Sequence, residues 1–152
     1  MALSAGSPAP EFTLRDENNT ARKLSDFHGR PVVLYFYPKD DTPGCTTEAC
    51  NFRNDYDTYQ QAGVVILGVS PDSPEDHTKF KAKYNLPFSL LADEGHHISD
   101  TYGVWGPKKF MGREYEGIHR TTFLIGTDGK IVKVFENVKP DGHSAEVLAA
   151  LK

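Results

Sequence analysis

Apolar runs alternate with amphipathic stretches along most of the chain. Val32-Val33-Leu34-Tyr35-Phe36-Tyr37 is continuously apolar or aromatic and is stopped by Pro38, the pattern of a strand covered on both faces. Val64-Val65-Ile66-Leu67-Gly68-Val69 and Thr121-Thr122-Phe123-Leu124-Ile125 repeat it. The third run continues through Gly126-Thr127-Asp128-Gly129-Lys130 into Ile131-Val132-Lys133-Val134-Phe135. Asp-Gly in a short polar gap between two β-rich runs predicts a hairpin. Between the first two runs, Ala49, Phe52, Tyr56 and Tyr59 recur at three- and four-residue spacing, which predicts one helix with a single apolar stripe. Ser73-Pro74-Glu75-Asp76 supplies a cap, a first-turn proline and an acid, and so opens a second helix. That helix turns Phe80 and Tyr84 inward and Lys79, Lys81 and Lys83 mostly outward. A last helix around Ser144 to Leu151 carries Val147, Leu148 and Leu151 on one side. The middle, with Phe88-Ser89-Leu90-Leu91, is less regular. The order β-α-β-α, then a hairpin and a helix, predicts an α/β sandwich with a mixed sheet.

The length of 152 residues sets the expectation of a single domain spanning 1-152. Lys and Arg total 17 against 21 Asp and Glu, a net charge of −4; this mild acidity argues against a nucleic-acid partner, which needs a basic face. No apolar run approaches the roughly 20 residues that cross a bilayer, and the start, Met1 to Pro8, lacks the features of a signal peptide. The expected compartment is the cytoplasm, where the two cysteines rest as thiols.

The chemistry is concentrated in Pro38-Lys39-Asp40-Asp41-Thr42-Pro43-Gly44-Cys45-Thr46-Thr47-Glu48-Ala49-Cys50. This segment follows the first buried strand and opens the first helix, the place where α/β sheets bind ligands. Thr42 suits the cap and Pro43 the first helical position, which puts Cys45 in the first turn. There the helix dipole and unpaired N–H groups favour a thiolate. Position alone leaves two readings open: Cys45 as a nucleophile, or as a small buried hydrophobe that happens to begin a helix.

Cys50 lies five residues on, about 140° around the helix and about 7.5 Å along it. The two Cα atoms would be roughly 8.7 Å apart, beyond the usual disulfide range of about 4.4–6.8 Å. An intact helix cannot carry that bond, so a Cys45–Cys50 pair could close only if the helix start unwinds. Otherwise Cys50 reads as an ordinary helix residue facing the core. No Cys-x-x-Cys occurs, and His28, His77, His96, His97, His119 and His143 show no ligand-like pairing with the cysteines. They read as surface or helix-start residues, and no metal is expected.

Pro38-x-x-x-Thr42-x-x-Cys45 resembles the active-site signature of peroxiredoxins, thiol peroxidases of the thioredoxin fold, and Cys50 resembles the resolving cysteine of the bacterioferritin-comigratory, or Q-type, subfamily. Ala9 to Leu14, Gly68 to Ser73, Tyr102 to Gly106 and Gly117 to Ile125 resemble further landmarks, so the likeness covers nearly the whole chain. The resemblance implies a thioredoxin-like mixed sheet flanked by helices and reduction of hydrogen peroxide and organic hydroperoxides. Cys45 would be the peroxidatic nucleophile and Cys50 the resolving thiol. They would form an intramolecular Cys45–Cys50 disulfide that thioredoxin or a similar dithiol reduces. Arg120 would stabilise the thiolate and the leaving oxygen, although by position it is also an ordinary arginine at a strand start. Thr42 would bond the sulfur and the peroxide, beside its role as a cap. Pro38 would shield the pocket and Gly44 would let backbone N–H groups approach the substrate. Glu48 would orient Arg120, or serve simply as a first-turn acid; His119 inherits no role. The resemblance implies no cofactor, and a monomer. Two other readings stay open: a thioredoxin-like disulfide oxidoreductase or redox sensor, and a non-catalytic interaction module.

Overall fold

A computed structural model describes residues 2–151. Among the described residues, nine strands and five helices follow one another: β1 (Thr13–Arg15), β2 (Ala21–Lys23), β3 (Val32–Phe36), α1 (Pro43–Asn54), α2 (Tyr56–Gln61), β4 (Val65–Ser70), α3 (Pro74–Tyr84), β5 (Ser89–Ala92), α4 (His97–Thr101), β6 (Trp105–Phe110), β7 (Arg113–Ile118), β8 (Thr121–Ile125), β9 (Ile131–Phe135) and α5 (His143–Ala150), with a 3-10 turn at Leu24–Phe27. Seven strands form one sheet in the order β2-β1-β5-β4-β3-β8-β9. β3, β4 and β5 run parallel, joined by helical crossovers, whereas β8 is antiparallel to both β3 and β9. This is the mixed α/β sandwich that the apolar runs predict.

β3 and β8 are buried along their whole length, as the continuous apolar runs require, and the pleat sends alternate residues to opposite faces. Val33, Tyr35, Ile66, Leu90 and Leu124 pack on one face under Ala49, Phe52, Tyr59, Phe80 and Val147 from the helices. Val32, Leu34, Phe36, Leu67, Val69 and Phe123 pack on the other with Phe12, Leu14, Tyr102, Val104 and Ile118. Tyr35 crosses β4 at Gly68, where a Cβ would lie 2.9 Å from the Tyr35 Cζ and Oη atoms. Only a residue without a side chain lets the ring lie flat there.

The Ser73 cap is present: its Oγ accepts from the Asp76 amide at 3.1 Å. Three expectations need correction. The stripe Ala49 to Tyr59 is not one helix; it breaks at Asp55, which ends α1 and begins α2, where its carboxylate accepts from Ser144 Oγ at 2.7 Å. The irregular middle contains a separate two-stranded hairpin, β6–β7. The histidines are not all at the surface or at helix starts: His97 and His143 do begin helices, but His77 lies inside α3 and is fully buried.

Candidate active site

β3 delivers the chain to a loop, residues 37–42, that leads directly into α1. The loop is held from behind by α3. Asp40 accepts from Tyr37 Oη at 2.6 Å and faces His77 Nδ1 at 2.6 Å, while its amide donates to Asp72 Oδ2 at 2.8 Å. Asp41, in the left-handed region at φ +57°, accepts from Lys83 Nζ at 2.8 Å and Tyr84 Oη at 2.9 Å. Burial pulls the His77 pKa down, but the Asp40 contact outweighs it and the net shift is upward. Nε2 donates to the Leu91 carbonyl at 2.9 Å, and the carboxylate against Nδ1 favours a second proton on the ring. Asp40, Asp72 and His77 are close enough together to offer three ligand atoms. A doubly protonated ring, however, has no lone pair for a metal, and the cluster reads as an ion pair that pins the loop.

Thr42 occupies the position before α1, and Pro43 is the first helical residue, as predicted. The Thr42 hydroxyl does not cap the helix; it donates to the Lys39 carbonyl at 2.9 Å, tightening the loop instead. Cys45 follows in the first turn, 1% exposed, with its sulfur accepting from Arg120 Nη2 at 3.3 Å. Arg120 directly precedes β8, and its other arm, Nη1, donates to Glu48 Oε1 at 2.8 Å. The Arg120 side chain is 17% exposed and Glu48 is entirely buried. One guanidinium therefore bridges a sulfur and a carboxyl one helical turn apart while keeping a little of its surface exposed. Burial lowers the Arg120 pKa, but Cys45 and Glu48 raise it further, so the cation is secure.

The site thus brings together Cys45, Arg120 and Glu48 from two elements 72 or more positions apart. Gly44 joins them for a reason the sequence does not disclose: a Cβ there would lie 3.1 Å from Arg120 Nη2 and 3.4 Å from Pro140 Cγ. The missing side chain makes room for the cation. Pro38 is half-buried at the mouth of the loop. Cys50 lies farther along the same helix, half-buried, and both thiols are free. The bond Thr46 N to Thr42 O at 2.8 Å shows the first turn wound, so α1 keeps the two cysteines on different faces.

Sequence reasoning missed Lys108 of β6. Its Nζ donates to the Ile118 carbonyl at 2.7 Å. Its pKa is lowered first by burial and then by the Arg120 charge, with Cys45 opposing. No motif marks it; only the hairpin brings it near. His119, in the turn after the hairpin, lies near Gly106.

The AhpC/TSA family matches residues 5–134. Peroxiredoxin Bcp of Bacillus subtilis is 49% identical over 152 residues, spanning 100% of this chain and 97% of that protein. A solved structure of Xanthomonas campestris peroxiredoxin Q, a cysteine-to-serine mutant, superposes with a TM-score of 0.91 at 37% identity, covering 98% of each chain. A structure of the X. campestris bacterioferritin comigratory protein, described for its alkyl peroxide reduction activity, gives 0.90 at 37% identity over 97% of this chain and 96% of that one. A cysteine under a shared arginine at a helix start, on a thioredoxin-like sheet with these relatives, places the chain in the AhpC/TSA family as a peroxiredoxin of the Bcp, or peroxiredoxin Q, type.

Proposed function

We propose that the protein reduces hydrogen peroxide and organic hydroperoxides through Cys45 and Cys50, with an external dithiol, thioredoxin or one like it, as the final electron donor. The Cys45 sulfur attacks one peroxide oxygen beside Arg120, and the O–O bond breaks as the S–O bond forms. The sulfur becomes a sulfenic acid and the other oxygen leaves as alcohol or water. Cys50 then displaces hydroxide from the sulfenic sulfur, which gives the Cys45–Cys50 disulfide and water, and thiol–disulfide exchange restores the thiols. Arg120 holds the attacking anion and supplies donors to the developing charge on the leaving oxygen. Thr42, whose hydroxyl donates to the Lys39 carbonyl and not to the sulfur in this structure, bonds the incoming peroxide; Pro38 shields the pocket, Gly44 lets backbone N–H groups approach the substrate, and Glu48 orients Arg120. The observation that carries this reading is the 3.3 Å contact between Arg120 Nη2 and Cys45 Sγ at the opening of α1.

The protein acts in this reading as a cytoplasmic antioxidant and as a monomer. The deciding experiment is thiol titration with stoichiometric peroxide. The parent should lose two thiols per equivalent and regain them with a thioredoxin system, whereas Cys45→Ser should consume no peroxide. Peroxide consumption by Cys45→Ser at the parental rate would overturn the assignment.

A further inference from the structure

Glu48 is a carboxyl with no exposed surface and only one of its oxygens satisfied. Oε1 accepts from Arg120 Nη1 at 2.8 Å, whereas Oε2 is buried without a hydrogen-bond partner. The same guanidinium already serves the Cys45 sulfur. If both acids ionise, two anions share one cation and the buried cluster carries a net negative charge. One anionic oxygen would then be left with no donor, the expensive case for a buried group. If one proton remains, the cluster is neutral and Oε2 becomes part of an uncharged acid.

We propose that Glu48 and Cys45 hold one proton between them, with Glu48 storing it while the sulfur is a thiolate and giving it up when the sulfur is oxidised. The step balances. Thiolate, carboxylic acid and hydroperoxide become sulfenic acid, carboxylate and alcohol: the S–O bond forms as the O–O bond breaks, and two electrons pass from sulfur to the peroxide. The proton lost by Glu48 equals the one that the departing alkoxide gains. Once the sulfur is uncharged, Arg120 has a single anion to satisfy. Burial pushes the Glu48 pKa up to about 7, against the opposing pull of Arg120, so the carboxyl can change state at neutral pH. Three other titratable groups feel the cluster. Tyr35 on β3 is kept neutral by burial and then by the Glu48 and Cys45 charges. Burial and then Arg120 lower the pKa of Lys108 on β6, with Cys45 opposing; burial lowers that of His143 on α5 against the pull of its Glu146 partner, and Arg120 adds a little.

The inference rests on Cys45 as the peroxidatic residue and deepens the role of Glu48 from positioning alone. Its test is infrared difference spectroscopy at neutral pH on the Cys50→Ser protein, in which the sulfenic acid accumulates. Peroxide should abolish one carboxylic-acid C=O stretch per chain. The band should shift on [13C]glutamate labelling and be missing in Glu48→Gln. Alkylation of Cys45 should depend on pH in two steps in the parent and in one step in Glu48→Gln, since coupled acids lose their protons as a pair. A glutamic-acid band that survives sulfenic acid formation would overturn the proposal, a result read on the protein with Glu48 intact. So would a one-step alkylation profile identical in parent and variant. Failure of Cys45 itself to form a sulfenic acid would instead sink the peroxidase reading.

Discussion

Arg120 is the residue on which the site turns, because one side chain orders two acids and caps the buried sulfur. Arg120→Met keeps much of the side-chain length but removes every donor. Single-turnover oxidation of Cys45, followed by stopped-flow fluorescence or thiol trapping, should slow by on the order of 100- to 1,000-fold, the usual loss when a donor to a developing anion is deleted. The alkylation profile of Cys45 should also move to higher pH; an unmoved profile would remove Arg120 from the mechanism. Cys50→Ser should leave the first oxidation intact while abolishing thioredoxin-dependent turnover, and undiminished steady-state turnover would assign resolution to another thiol. At this scale the sequence was informative about residue types and silent about contacts. The place at a helix start marks Cys45 as a candidate and leaves it two readings; only the resemblance of Pro38-x-x-x-Thr42-x-x-Cys45 to a known signature favours one of them. Lys108 and Pro140 reach the site only through tertiary packing, and nothing local to either one signals it.

Among elements, α1 carries the mechanism's main mechanical demand. Its first turn is wound through Thr46 N to Thr42 O, with Cys45 and Cys50 five residues apart along it, so the proposed Cys45–Cys50 disulfide requires that turn to open. Amide hydrogen exchange should therefore be slow across Thr46 to Cys50 in the reduced protein and markedly faster there in the disulfide form. Protection in α3 should not change. Equal protection of α1 in both states would mean the bond forms without unwinding. The loop ahead of α1 is anchored through Asp40, Asp41 and α3, so the opening is expected on the helical side. Legibility differed sharply between elements. β3, β4 and β8 were readable because they are buried on both faces and hence apolar throughout. The β6–β7 hairpin was not, because most of its residues are partly or fully exposed. Trp-Gly-Pro-Lys-Lys-Phe therefore lacks the alternation that burial of one face imposes. The break at Asp55 was hidden as well, since the apolar stripe continues across it and the Ser144 contact made there comes from 89 positions away.

For the molecule as a whole, stability resides in the two apolar layers and in the few charged groups they enclose. Phe123 is fully buried, packed edge-on to Phe36 and Tyr102. Phe123→Ala should cost about 3–5 kcal/mol in denaturant unfolding. Phe110→Ser, at the exposed hairpin end, should stay within about 0.5 kcal/mol of the parent. The His77–Asp40 pair makes stability depend on pH. The folded His77 pKa is raised above the ordinary value near 6.5. The pair's contribution is therefore complete below about pH 6.5 and fades as pH climbs through the folded value. The stability lead of the parent over His77→Gln should be larger at about pH 6 than in alkaline buffer, measured as ΔG from urea titrations; a lead that grew with pH would contradict the assigned charge state.

Trp105, the chain's single tryptophan, lies flat against the His96 imidazole, with ring centroids 3.7 Å apart and planes 2° from parallel, and its indole N–H donates to Glu116 across the hairpin at 3.1 Å. The protein thus comes with a built-in optical probe: intrinsic emission at the indole wavelength arises from that stack alone. Any change in brightness or colour during a catalytic cycle reads out disturbance at the root of the hairpin, with no dye attached.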